Sequence, residues 1–277
     1  MALSVHTNDA ALIALQNLNN TGSQLQDVQN RISTGLAINN AKDNAAVWAI
    51  AQGQRADIGS LASVKSSLDR ATSIADVAST AGQTISDLLV QMKEKVTAAM
   101  DPSIDTASRN ALDSDFKSIL RQITQVVNNA NFDGANLLDG SVNQIKFIAN
   151  AQANGFITLS SQNLTLGGAI ITVPSTASLT TVTFATAVLA QLTASISNTN
   201  QALGNLGSQS KQIANHADFV GKLTDQLTAG VGNLVDADLA KESARLQALQ
   251  VQQQLGVQAL SIANSAPQIV LSLFKGG

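Results

Sequence analysis

Cysteine is absent from this sequence and aromatic residues are scarce. The 277 residues include no Cys and no Tyr, one Trp, and only 3% aromatic residues in total. The absence of cysteine excludes disulfide bonds, thiolate metal ligands and cysteine nucleophiles. The 44% of hydrophobic residues are therefore mostly small or aliphatic, which suits closely packed helices better than a deep, aromatic-lined catalytic pocket.

Charge is also sparse. Only 13% of the residues are charged, against about 25% in an ordinary soluble protein. The net charge of -3 predicts neither a nucleic-acid partner nor an anionic membrane surface as a partner. The N-terminus lacks a basic region followed by a compact apolar run, so we expect no cleaved Sec signal. The uncharged stretch 246–274 is rich in Gln and Asn, which argues against a membrane span.

Helical periodicity dominates the beginning of the chain. An apolar stripe runs in alternating steps of three and four residues, as in the seam of a coiled coil. Its members are Ala11, Ala14, Leu18, Thr21, Leu25, Val28 and Ile32. One amphipathic helix of a globular core would show the same pattern. We expect Gly35 to end this helix and Asp43 to cap the next one.

The middle of the chain changes from helix to strand. Apolar stripes at 74–96 and 112–127 predict two helices, separated where Asp101-Pro102 breaks the hydrogen-bond ladder. An Asn-rich turn follows the second helix. The segment at about 141–185 is the only β-rich part of the sequence. Within it, the residues at 144–148 and 156–159 predict short strands, with a turn at Gly167-Gly168.

Helix is expected again from about Ala185 almost to the end of the chain. A continuous helix of about 50 residues would be about 75 Å long, which favours lateral assembly over a compact globule. Gly230-Val231-Gly232 is interpreted as a joint between helices, because no strand precedes it and no phosphate-loop motif follows.

The sequence offers no catalytic constellation. His6 and His216 are the only histidines and belong to no metal-binding or hydrolase motif. Asp236, Asp238 and Glu242 are candidates for cation ligation. They are better explained by Asp236 or Asp238 capping the last long helix, with Glu242 in its first turn. We therefore predict a protein that is not an enzyme and that needs neither cofactor nor metal.

Both ends of the chain contain long uncharged segments, at 10–26 and 246–274. Burying such helices together requires no ionised group to lose its water. We infer that the two ends pair and become fully buried only in an assembly. The predicted assembly residues are Leu18, Leu25, Val28, Ile32, Leu246, Leu249, Val257, Leu260, Leu271, Leu273 and Phe274.

Several runs resemble the bacterial flagellin family. RISTGLAINNAKDNAA at 31–46 is similar to the family's N-terminal signature, and LVDADLAKES at 234–243 is similar to its C-terminal one. The tail carries Pro267-Gln268 where flagellins have the same dipeptide. Asn131-Phe132-Asp133-Gly134 matches the turn that precedes their β-region. The resemblance covers about residues 1–140 and 185–277 and is greatest with the short flagellins of alphaproteobacteria.

The resemblance implies a mainly α fold, with long terminal coiled-coil helices, an α-helical rod domain, a small β-hairpin region and no large outer domain. Residues 1–36 and 240–277 would form the inner tube of a filament, and residues 37–239 the rod domain around it. The function implied is that of the structural subunit of the flagellar filament. A hook–filament junction protein is the alternative within this class. A helical signalling module would need a sensor or output motif, and none is visible.

The resemblance also implies partners and a location. The chain would assemble with copies of itself into a helical polymer outside the cell. It would be exported by the flagellar type III route without a cleaved signal peptide. The implied transient partners are the export machinery, an export chaperone, the filament cap and the hook-junction proteins.

One run departs from the family pattern. An innate immune receptor recognises a helix face that in many flagellins reads LQRVRELA, whereas residues 89–96 here read LVQMKEKV. Gln91 replaces the first arginine and lacks its charge, Lys93 replaces the second and cannot make a bidentate pair, and Lys95 replaces a leucine. We predict that this chain activates that receptor weakly or not at all.

Overall fold

The computed structural model describes residues 7–275, and the side chains of residues 7–265. This part of the chain contains five α-helices and four short strands. The helices are α1 (Asp9–Thr34), α2 (Ala45–Ala99), α3 (Thr106–Asn129), α4 (Val182–Val235) and α5 (Leu239–Lys275). The strands are β1 (Asn131–Phe132), β2 (Ala135–Asn136), β3 (Gln144–Ile148) and β4 (Phe156–Ser160). The predicted mainly α fold class is confirmed.

The described chain forms two compact units. One consists of the residues up to 56 together with those from 226 onward, and the other of residues 57–225. The segment between α3 and α4 holds only two antiparallel hairpins and their connecting loops. No large inserted domain is therefore present in the described chain. The predicted division at residues 36 and 240 concerns the filament and stays a prediction.

Several predicted helix ends are confirmed. Gly35 ends α1 with φ 72°, and its N–H donates to the Arg31 carbonyl at 2.9 Å. Glycine adopts this left-handed conformation without steric cost, so it is a preferred residue after a helix. Asp238 begins α5, because its carboxylate accepts from the N–H groups of Ala240 and Lys241 at 3.0 and 3.1 Å. Glu242 lies in the first turn of α5, as expected.

The N-cap predicted for α2 is wrong by one residue. Asn44 caps this helix, because its Oδ1 accepts from the Val47 N–H at 3.2 Å. The Asp43 carboxylate instead accepts from the N–H groups of Asn39 and Asn40, at 2.9 and 3.1 Å. Asp43 therefore orders the turn before the helix and is unavailable as its cap.

The joint predicted at Gly230-Val231-Gly232 is also wrong. These residues continue α4, and the chain leaves the helix only between Val235 and Leu239. Val231 and Val235 are buried, and their packing offsets the helix-weakening effect of the glycines. Gly232 leaves space for the Asp236 carboxylate, since a Cβ at this position would lie 2.7 Å from Asp236 Oδ2.

The strands occupy less of the β-rich segment than expected. Hairpin β3–β4 is confirmed, with Gln144 opposite Ser160 and Ile148 opposite Phe156. Beyond it only an isolated bridge between Leu166 and Ile171 has strand geometry, with the predicted turn at Gly167 (φ 74°). Helix α4 then begins at Val182.

The second unit packs the hairpin against the helices around an aliphatic core. Phe116 from α3 and Phe147 from β3 are among its fully buried side chains. The Ile148 N–H donates to Ser67 Oγ of α2 at 3.3 Å, and the Ser160 N–H donates to Gln209 Oε1 of α4 at 2.6 Å. The hairpin is thus tied to both long helices.

A buried carboxylate fixes the loop before α4. Asp113 accepts from Ser178 Oγ and the Leu179 N–H at 2.9 and 2.6 Å, and its other oxygen lies 2.7 Å from Lys117 Nζ. Burial opposes ionisation of Asp113, but the hydrogen bonds from Lys117, Leu179 and Ser178 outweigh it and hold its pKa below the ordinary value.

Candidate assembly site

The two ends of the chain pack against each other as an antiparallel helix pair, α1 with α5. Along α1, the positions from Ala11 to Ile32 in steps of three and four are buried or half-buried, whereas most residues between them are exposed. The seam of α5 includes Leu246, Leu249, Gly256, Leu260 and Ala263. Apolar side chains at this spacing fall on one face of each helix, so the stripe read from the sequence is the seam between the ends.

The predicted assembly residues occupy different places in this pair. Those that lie in the seam between the two helices are Leu18, Leu25, Val28, Ile32, Leu246, Leu249 and Leu260. Val257 points away from the seam and is 53% exposed. The side chains of Leu271, Leu273 and Phe274 lie outside the described residues. Most of the predicted set is therefore buried within the chain, and its role in contacts between copies stays a prediction.

A second set of apolar side chains on the same two helices remains exposed, on more than one side of the pair, and we call this set the outer face. They are Leu12, Ile13, Leu15, Val251, Leu255, Val257 and Ile262, each between 43% and 70% exposed. A groove of about 950 Å³ runs along the pair between residues of both helices, including Ile13, Gln252 and Leu255. Exposed apolar side chains beside a groove are typical of interaction surfaces.

Three contacts fix the register of the two helices. At one end, Asn8 Oδ1 accepts from the Ala11 N–H at 3.1 Å, while Asn8 Nδ2 donates to the Ala263 carbonyl at 2.7 Å. In the middle, a Cβ placed on Gly256 would lie 3.2 Å from Leu18 Cδ1. The glycine thus lets the two helices approach closely at this level.

At the other end, Arg31 Nη1 of α1 lies 3.3 Å from Glu242 Oε1 of α5. The Glu242 side chain is only 10% exposed, against 35% for Arg31. The second carboxylate oxygen, Oε2, is buried without a hydrogen-bond partner among the described residues. Burying a half-satisfied carboxylate is costly unless a cation stays beside it, so Glu242 depends on Arg31.

The two breaks between helices are joined at the same level. Leu36, just after α1, forms an antiparallel bridge with Asp236, just before α5. The Ala237 N–H donates to the Gly35 carbonyl at 2.8 Å beside this bridge. Residues separated by about 200 positions therefore meet here. Both sequence signatures, 31–46 and 234–243, therefore contain residues of this junction.

The run that departs from the flagellin pattern lies on the surface of α2. Gln91 and Lys93 are exposed. Lys95 is half-buried, and its Nζ lies 2.8 Å from Asp115 Oδ2 of α3. Lys95 therefore takes part in a contact within the chain, whereas Gln91 and Lys93 contribute to the exposed surface of α2, and weak receptor activation stays a prediction.

In the part of the chain that the structure describes, no three His, Asp or Glu side chains are grouped so as to hold a metal ion. Within the same part, no helix combines the length and apolarity needed to cross a membrane.

Comparison with known families identifies the chain. Its residues 5–143 match the model of the bacterial flagellin N-terminal helical region, and residues 189–274 match that of the C-terminal helical region. The chain belongs to the bacterial flagellin family. The resemblance inferred from the terminal signatures is thereby confirmed.

Full-length relatives agree. The chain is 55% identical to flagellin FljJ of Caulobacter vibrioides, with all of both proteins covered. It is 52% identical to flagellin FljM of the same organism, covering 99% of this chain and 100% of that one. It is 38% identical to a flagellin of Brucella melitensis, with 99% of each covered. The expected similarity to short alphaproteobacterial flagellins is confirmed.

Proposed function

We propose that this protein is the structural subunit of a bacterial flagellar filament and that it has no catalytic role. The single observation that carries the proposal is the outer face, the apolar surface that remains exposed after α1 and α5 have paired. A chain with 13% charged residues has few ionic groups with which to solvate this surface. Packing against neighbouring copies is the simplest way to cover it.

The terminal pair is the element that assembles. Residues 1–36 and 240–277 would line the inner tube of the filament, and residues 37–239 would surround it. Seam residues such as Val28 and Leu249 hold the pair together, while outer-face residues such as Leu255 and Ile262 contact other subunits. Both sets are needed, because an outer face has a defined shape only when the seam sets the register of its two helices.

Assembly on this scheme stabilises the terminal pair further. Ordering a backbone residue costs about 1–2 kcal/mol, and one antiparallel helix pair buries only one face of each helix to offset that cost. Burial of the outer face against neighbouring copies adds apolar contacts that the isolated pair lacks. Growth is therefore favoured at an existing filament end, where several neighbours are already present.

The same proposal gives the protein a location and transient partners. It functions in the flagellum, outside the cell, and reaches the filament tip through the flagellar export machinery without a cleaved signal peptide. An export chaperone would cover the outer face before secretion, and the filament cap would guide insertion. The base of the filament would contact the hook-junction proteins.

Seeded polymerisation tests the proposal. Purified protein is mixed with short filament fragments and examined by electron microscopy, and we expect long filaments. A chain that ends at Gln254 lacks three of the four outer-face residues on α5, namely Leu255, Val257 and Ile262, so it should remain monomeric while residues 57–225 stay folded. Filaments of normal length from the shortened chain would contradict the proposal. A hook–filament junction protein would bind the fragments without elongating them.

A further inference from the structure

The chain contains a single Asn-Gly dipeptide, Asn154-Gly155, in the loop that joins β3 to β4. Asn154 is exposed and Gly155 is half-buried. Asparagine followed by glycine is the sequence most open to spontaneous loss of the side-chain amide, because glycine has no Cβ to hinder attack by its main-chain nitrogen. The assembly proposed above assigns no role to this loop.

The loop is closed around one side chain, that of Asn150. Its Oδ1 accepts from the main-chain N–H groups of Asn154 and Gly155, both at 3.1 Å. Its Nδ2 donates to Asn154 Oδ1. The Ala149 N–H donates to the Gly155 carbonyl at 2.9 Å, and Ala153 has the left-handed φ of 55°. Asn150 therefore holds both the nucleophile and the electrophile of the possible reaction.

We propose that Asn154-Gly155 is a deamidation site and that Asn150 is the residue that keeps it slow in the folded protein. In the reaction, the Gly155 main-chain nitrogen loses its proton to water or hydroxide and attacks Asn154 Cγ. The Cγ–Nδ2 bond breaks and ammonia leaves, giving a cyclic imide. Water then opens either carbonyl of the ring, which yields aspartate or isoaspartate at position 154 with no oxidation or reduction.

The hydrogen bonds of Asn150 oppose each requirement of this reaction. The Gly155 N–H must lose its proton, yet it donates to Asn150 Oδ1. Asn154 Cγ must turn toward the Gly155 nitrogen, yet its oxygen is held by Asn150 Nδ2. Glycine at 155 also favours this arrangement, because a Cβ there would lie 3.1 Å from Asn150 Nδ2 and the Asn150 side chain would have to shift slightly.

The rate of ammonia loss tests the inference. The full-length chain is incubated in mildly alkaline buffer, folded or unfolded in urea, and the peptide containing 154 is followed by mass spectrometry. We expect the folded wild type to react at least about tenfold more slowly than the unfolded chain, equivalent to about 1.4 kcal/mol. Asn150→Ala should raise the folded rate toward the unfolded one, with unchanged circular dichroism.

Two further variants separate the contributions. Asn150→Asp keeps the acceptor for both N–H groups but loses the donor to Asn154, so its folded rate should lie between those of the wild type and Asn150→Ala. Asn154→Gln should not react on the same time scale, because its ring closure needs one more atom. Asn150→Ala and the wild type reacting equally fast when folded would overturn the role of Asn150. Failure of the unfolded chain to react at 154 would overturn the site itself.

Discussion

Leu255 provides the sharpest test of the outer face. Its side chain is 59% exposed on the terminal pair, so most of it remains available for burial by a neighbouring subunit. Full burial of a leucine contributes about 1.5–3 kcal/mol, and the exposed fraction corresponds to about 1–2 kcal/mol. Leu255→Ala should therefore raise the critical concentration for polymerisation about tenfold, since about 1.4 kcal/mol changes an equilibrium constant by that factor.

The assay measures the protein left in the supernatant after seeded growth and sedimentation. Leu255→Met, which nearly conserves volume, is the matched control and should polymerise almost as the wild type does. Leu255→Asp should not polymerise at all, because its carboxylate would be buried without a partner. Monomer stability should change by less than about 0.5 kcal/mol in Leu255→Ala, as is usual for an exposed side chain.

The contrast with a seam residue makes the reasoning refutable. Leu249 is 5% exposed between α1 and α5, so Leu249→Ala should destabilise the helix pair itself, by about 2–5 kcal/mol. If Leu255→Ala left the critical concentration unchanged, or if it destabilised the monomer as much as Leu249→Ala, the separation between seam and outer face would be wrong.

Three other predictions follow from particular contacts. Arg31→Met should destabilise the terminal helix pair by on the order of 2 kcal/mol, which is less than for a fully buried ion pair because Arg31 is partly solvated. Adding Glu242→Gln should restore most of that loss in a double-mutant cycle measured by urea unfolding. Asp113→Asn should lower the free energy of unfolding by about 1–3 kcal/mol at neutral pH. Because the pKa of Asp113 is lower in the folded chain, the stability it contributes is complete above the unfolded-chain pKa of about 3.9 and is lost as the pH falls through the folded pKa. Acid unfolding should therefore become less steep in the variant. The run 89–96 should make the monomer a weak activator of the innate immune receptor in a reporter-cell assay, and a potency equal to that of a flagellin with the usual run would contradict this.

Local patterns in the sequence determined most of the secondary structure. Four features each determine the secondary structure of the few residues around them: the apolar stripe from Ala11 to Ile32, Gly35, Asp238 and the alternation at 144–148. Helix periodicity, capping and strand alternation are local properties, so they could be read without the fold. The two terminal signatures also indicated the protein family, through their resemblance to those of flagellins.

Tertiary structure decided which side of each terminal helix is used, and for what. The sequence placed Val257 with Leu249 in one assembly set, but pairing with α1 buries Leu249 and leaves Val257 exposed. It also did not reveal that Arg31 neutralises Glu242, nor that Gly256 admits Leu18. These contacts join residues more than 200 positions apart, and their register depends on how two whole helices pack. No local pattern contains that information, because an apolar stripe indicates that one face of a helix is buried but does not identify the element that packs against it.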